Sequence, residues 1–139
     1  MTPDEIWSIQ DSFSHITPQA EAAGVRFYTR LFAIAPELRP LFDGDMRTQG
    51  MKFMTTLGVV VKAFSDFQAM LPLARQLAVD HVAFGVRPDH YAPVGEALVW
   101  TMRETLGREF TEDVQDAWAR AYRLLSSEMI KAAYPDDAG

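Results

Sequence analysis

Residues 73–86 read LARQLAVDHVAFGV, and their spacing sets the fold class. At 3.6 residues per turn, Leu73, Leu77 and His81 fall on one helix face, while Arg75, Gln76 and Asp80 point elsewhere. The stretch is therefore an amphipathic helix in which an imidazole takes a place on the buried apolar stripe. A polar ring there finds a partner or costs about 1–3 kcal/mol. Two readings fit this helix alone. His81 is either a core histidine satisfied by a hydroxyl or carbonyl, or a metal ligand, since neutral imidazole is the commonest ligand nitrogen.

The flanking sequence has the same period. Upstream, Gln49, Phe53, Leu57, Val60 and Phe64 share a face, with Gln49 its single polar member, and a connection is expected around Ser65 to Ala69. Downstream, Gly85 and Arg87-Pro88 end the His81 helix, Asp89 is placed to cap the next one, and Tyr91, Val94, Leu98, Met102 and Thr105 form its stripe. Thr111 opens a last helix carrying Val114, Trp118, Ala121, Leu125 and Met129. It stops before Pro135, with residues 135–139 as a frayed tail. At the other end, Thr2, Pro3 and Glu5 offer a capping box for a helix with Ile6, Ile9, Phe13 and Ile16 inward and His15 solvated. Thr17-Pro18 repeats the start signal before Val25, Tyr28 and Phe32. Pro36 and Pro40 confine APELRPLF to a short, sharply turned segment, and Asp43, Gly44 and Asp45 make a loop. No segment alternates as a strand does, so the expectation is an all-α domain over residues 1–139, with six longer helices and one or two short ones.

Composition narrows the function. The 139 residues carry a net charge of -6, with no basic patch to neutralise nucleic-acid phosphates. Zero cysteines remove thiolate nucleophiles, disulfides and iron–sulfur ligation. No leader opens the chain and no apolar run spans a bilayer, so a cytoplasmic protein is expected. Neither a GxSxG nor an SxxK context supplies a catalytic nucleophile, and His81 and His90 lack a ligand spacing for a multi-histidine metal site. A metal needing one protein ligand remains. Haem is that case, since the porphyrin fills four positions, one imidazole the fifth, and a diatomic gas the sixth.

The string FYTRLFAIAPELRPLF, from Phe27 to Phe42, followed by QGMKF, LPLARQLAVDHVAFGV, HYAPVGEAL and DAWARAY, resembles bacterial globins of the flavohaemoglobin and single-domain haemoglobin group over nearly the whole chain. The resemblance implies a globin fold around haem, of b type, with His81 as proximal iron ligand and its Nδ1–H donating to a carbonyl such as that of Leu77. It also implies Tyr28 and Gln49 as distal donors to bound dioxygen, Phe53 as the pocket roof and Phe42 as the wedge against the haem. Lys52, Arg47 and Arg87 are candidates for the haem propionates, each with a solvated charge as its plainer reading. The resemblance further implies that Tyr91 contacts the ligand histidine, and Leu77, Val86 and Val94 complete the expected cofactor-binding set. Flavohaemoglobins add a glutamate on the last helix; here that position falls at or beside Ala133, and Glu128 lies on a different face. Since the chain ends at Gly139, it is not expected to reduce its own haem with NADH.

The implied function is reversible binding of dioxygen, and of CO and NO, in a monomer or homodimer. The alternatives are a nitric oxide dioxygenase served by a separate reductase and a gas sensor acting through a partner.

Overall fold

The computed structural model describes residues 1–133 except Asp43, Phe84 and Gly85, together with the backbone but not the side chains of Phe67 and Ala83. Six α-helices follow one another: α1 Pro3–Ile16, α2 Ala20–Ile34, α3 Met46–Ala63, α4 Phe67–Ala83, α5 Tyr91–Leu106 and α6 Glu112–Ala133. Four short 3₁₀ segments, rather than one or two, lie between them among the described residues, at Thr17–Gln19, Pro36–Leu41, Pro88–His90 and Gly107–Glu109. The architecture is all-α, as the periodicity requires. The expected tail at 135–139 and the stop at Gly85 lie outside the described residues.

Local chemistry explains most boundaries. Thr2 and Glu5 form the capping box of α1, each side chain taking up the other's backbone N–H, at 3.1 and 3.0 Å. Asp45 caps α3 by accepting from Thr48 N at 2.8 Å, and this bond holds its carboxyl below the usual range. Three expectations need correcting. Thr17 does not cap α2; its hydroxyl donates back to the Phe13 carbonyl at 3.1 Å, and the chain runs on through a 3₁₀ turn. Asp89 does not cap α5; it pairs with Arg87 at 3.6 Å, within the 3₁₀ turn that precedes that helix. The connection before α4 is shorter than Ser65 to Ala69, because Asp66 accepts from Gln68 N and starts the helix at Phe67. Pro72 then sits inside α4 on an exposed face, where it has no N–H to donate to the Gln68 carbonyl.

The core joins Ile9, Ile16, Phe27, Leu31, Met102, Trp118 and their neighbours from α1, α2, α3, α5 and α6. Trp118 donates its indole N–H to Ser12 at 2.8 Å, tying α6 to α1 inside that core. Two close approaches shape the rest. α2 and α3 cross with Gly24 against Gly50, where a Cβ on either would stand 2.6–2.7 Å from the other's backbone. α4 lies along α6 through Met70, Ala74, Ala78 and Met129, which are buried. The fully buried face of α4 is thus 70/74/78, and Leu73, Leu77 and His81 are only half-buried. Leu77 and His81 keep accessible surface because they border a cavity rather than a packed helix.

Candidate functional site

The cavity lies between α2 and α3 on one side and α4, α5 and α6 on the other, and its volume is about 430 Å³. Its first wall follows from the glycine crossing. With no Cβ to separate the helices, Tyr28, one turn after Gly24, comes close to Phe53, which lies almost one turn after Gly50. Phe53 stacks flat on Phe27, with centroids 4.0 Å apart and planes 4° from parallel. Tyr28 sits edge-on to Phe42 at 5.0 Å and to Phe53 at 6.1 Å, with Phe32 at 5.6 Å. Arg39 holds the corner by donating to the Phe42 carbonyl at 3.2 Å.

Among these rings Tyr28 is 5% exposed, and burial pushes its phenol up to about 12. It is therefore a neutral hydroxyl, able to donate, at every physiological pH. Gln49 precedes Gly50 at the start of α3, and its amide nitrogen lies 3.8 Å from where a Cβ on Gly44 would stand. Gly44 has φ +89°, a conformation that L residues rarely adopt.

On the opposite wall, His81 Nδ1 donates to the Leu77 carbonyl at 2.6 Å, one helical turn back. A carbonyl only accepts, so this bond puts the ring proton on Nδ1 and leaves Nε2 with a free lone pair in the neutral ring. Val86 N donates to the His81 carbonyl at 3.0 Å. The Tyr91 ring lies 6.4 Å from that of His81, with planes 23° apart. Behind it, Tyr122 donates its hydroxyl to the Tyr91 carbonyl. Its ring fills the space a side chain at Gly95 would need, only 2.6 Å from a Cβ there. Burial pushes the Tyr122 phenol well above the usual tyrosine range, and nearby Tyr91 adds to the shift.

All ten cofactor-binding residues named from the sequence border this one cavity: Tyr28, Phe42, Gln49, Lys52, Phe53, Leu77, His81, Val86, Tyr91 and Val94. Arg47 and Arg87 do not; they pair with Glu21 at 2.6 Å and Asp89 at 3.6 Å. Glu128 pairs with Lys131 at 3.8 Å, while Ala133 packs beside the cluster of Met70, Tyr91 and Met129. Sequence reasoning missed Tyr122, Leu98 and His90 as wall residues. Gly95 in mid-helix was the available signal for Tyr122, since an interior glycine marks a close approach.

The His81 imidazole, whose Nε2 carries the free lone pair, is set in largely apolar walls and fits a cofactor that brings its own remaining metal ligands. Among the described residues no group of three or more His, Cys, Asp or Glu is gathered as a self-sufficient metal site, and no Asp or Glu lines the cavity. Nor is any described helix long and apolar enough to cross a membrane.

The family model described as Globin matches residues 25–129. The flavohemoprotein of Bordetella parapertussis is 39% identical over 114 residues, which are 79% of this chain and 28% of that protein. The flavohemoprotein of Vibrio cholerae is 27% identical over 133 residues, 94% of this chain and 34% of that protein. The chain thus spans about a third or less of the length of these curated relatives. Among solved structures, a hexacoordinated heme protein from an anhydrobiotic tardigrade superposes with a TM-score of 0.86 at 16% identity, over 96% of this chain and 95% of that one.

Proposed function

The chain belongs to the globin family, and on that footing we propose that it is a haem protein which reversibly binds dioxygen, and also CO and NO, at an iron held by His81. The observation that carries this reading is the imidazole in an apolar cavity with its Nδ1–H committed to Leu77 and its Nε2 free. When bound, the haem, of b type, supplies an iron with one open position for a diatomic gas.

The chain's own groups do the rest. His81 Nε2 offers the lone pair, and the Leu77 carbonyl fixes the tautomer and the ring's orientation. Leu77, Val86, Tyr91 and Val94 line the cavity with His81 and would hold the cofactor, and Phe42 would wedge against it. Tyr28 and Gln49 would donate hydrogen bonds to a gas held in the cavity, and Phe53, fixed by its stack on Phe27, would limit the room for it. Apolar walls keep water from competing for these donors, so each bond is worth about 1–3 kcal/mol.

The visible spectrum of the purified protein, as isolated, reduced with dithionite and then under CO, tests the reading. A strong Soret band that shifts on CO is expected, and His81→Ala abolishes it. A protein that takes up no added haemin overturns the reading and returns His81 to the role of a core histidine.

A second reading is nitric oxide dioxygenation with electrons supplied by a reductase; its support is the name of the relatives, flavohemoprotein, which sets a flavin beside the haem in those proteins. NO consumption sustained over many turnovers with NADH and catalytic reductase supports it; a single stoichiometric burst leaves reversible binding. Ala133, standing where the resemblance places a glutamate, favours binding over turnover.

A further inference from the structure

The second histidine of the cavity wall has its own tautomer fixed. His90 lies at the end of the 3₁₀ turn Pro88–His90, and its Nδ1 accepts from the Arg87 backbone N–H at 3.0 Å. A backbone N–H only donates, so Nδ1 carries no proton and the neutral ring has its single N–H at Nε2. This is the reverse of His81, whose proton sits on Nδ1. One wall therefore holds two imidazoles of opposite tautomer, a lone pair at His81 and a donor at His90. His90 is half-buried among exposed neighbours, Arg87 and Asp89, so it stands near the surface end of the cavity. Lys52 and Thr56 mark an opening too, because they line both the cavity and the open groove outside α3. Lys52 is the single Lys or Arg among the described lining residues, and no carboxylate stands among them. In a chain of net charge -6, a cavity lined by one cation and one fixed imidazole donor, with no carboxylate among its described lining residues, favours a ligand with an acidic edge.

We propose that His90 is a cofactor-edge residue, whose Nε2–H donates to a carboxylate substituent of the haem at the cavity mouth, with Lys52 as the accompanying charge. This rests on the haem reading above. The rate of haemin loss to excess apomyoglobin tests it, comparing His90→Leu, His90→Gln and the parent, each loaded with haemin or with its dimethyl ester. His90→Leu is expected to lose haemin about tenfold faster, the effect of one charge-assisted hydrogen bond. His90→Gln, which keeps an acceptor for Arg87 N–H and a donor for the carboxylate, restores most of the hold. With the ester, whose carboxylates are blocked, the His90→Leu effect largely disappears. An acceleration of equal size with haemin and ester means that His90 only supports the turn, and overturns the proposal, as does an unchanged rate in His90→Leu. Failure of the parent to bind haemin overturns the underlying reading instead.

Discussion

Gly50→Ala tests whether the glycine crossing holds the Tyr28 side of the cavity together. The new Cβ would stand 2.7 Å from the Gly24 carbonyl carbon and 2.9 Å from its Cα. Non-bonded carbon atoms prefer about 3.5–4.0 Å, so the two helices must part by roughly 1 Å where they cross. Both sides of the clash are backbone, and no rotamer change relieves it. Overpacking of this kind costs about 1–3 kcal/mol, against which alanine returns up to about 1 kcal/mol of helix propensity.

Gly58→Ala, in the same helix, separates the two effects. Its Cβ meets only the Phe13 ring edge, at 3.4 and 3.6 Å, and that ring can shift. The propensity gain is common to both variants, so the difference between them isolates the crossing. Equilibrium urea unfolding at equal haem loading is expected to place Gly50→Ala about 2 kcal/mol below Gly58→Ala, with Gly58→Ala at or above the parent. Gly50→Ala also moves Gln49 and Phe53 relative to Tyr28, so its CO association rate changes several-fold while that of Gly58→Ala does not. Equal stabilities and equal CO kinetics in the two variants would refute the crossing as the element that positions this wall.

Tyr28→Phe removes one donor and leaves the aromatic packing in place. Stopped-flow measurement of oxygen dissociation is expected to show a rate roughly tenfold higher, about 1.4 kcal/mol, and an unchanged rate removes Tyr28 from the gas-binding side. Tyr28 and Tyr122 also set an alkaline limit, since burial raises both phenols and the protonated ring therefore favours the folded state. Stability is whole below about pH 10 and falls as the pH rises from 10 toward 12, with Tyr28 alone accounting for about 3 kcal/mol of the loss. Tyrosinate absorbance followed with far-ultraviolet circular dichroism checks this: the two phenols ionise together with loss of helix, and their ionisation in a still-helical protein would contradict the burial.

Local rules reached far into this fold but not across it. The Thr2–Glu5 capping box depends on neighbours three residues apart, and the Leu77 carbonyl lies one turn behind His81 in any helix, so both follow from spacing alone. The start of α4 and the role of Asp89 were misplaced, because Asp66 and Asp89 are both plausible caps in sequence and only the backbone path decides which carboxylate meets a free N–H. Periodicity also put Leu73, Leu77 and His81 on a buried stripe without distinguishing a face packed on a helix from one bordering a cavity. That difference appears only when α6 closes on Met70, Ala74 and Ala78. For the same reason, spacing left His81 with two open readings, and the resemblance over Phe27–Phe42 and beyond was what gathered the ten residues in advance.

His90 belongs to the class that neither route reached. Its place in the wall depends on a turn between two helices, and its tautomer on a backbone N–H three residues back, so the motif HYAPVGEAL contains it without giving it a role. Spacing identified the imidazole that fits the apolar stripe, whereas the one at the rim is recognised only from the hydrogen bond that fixes its proton.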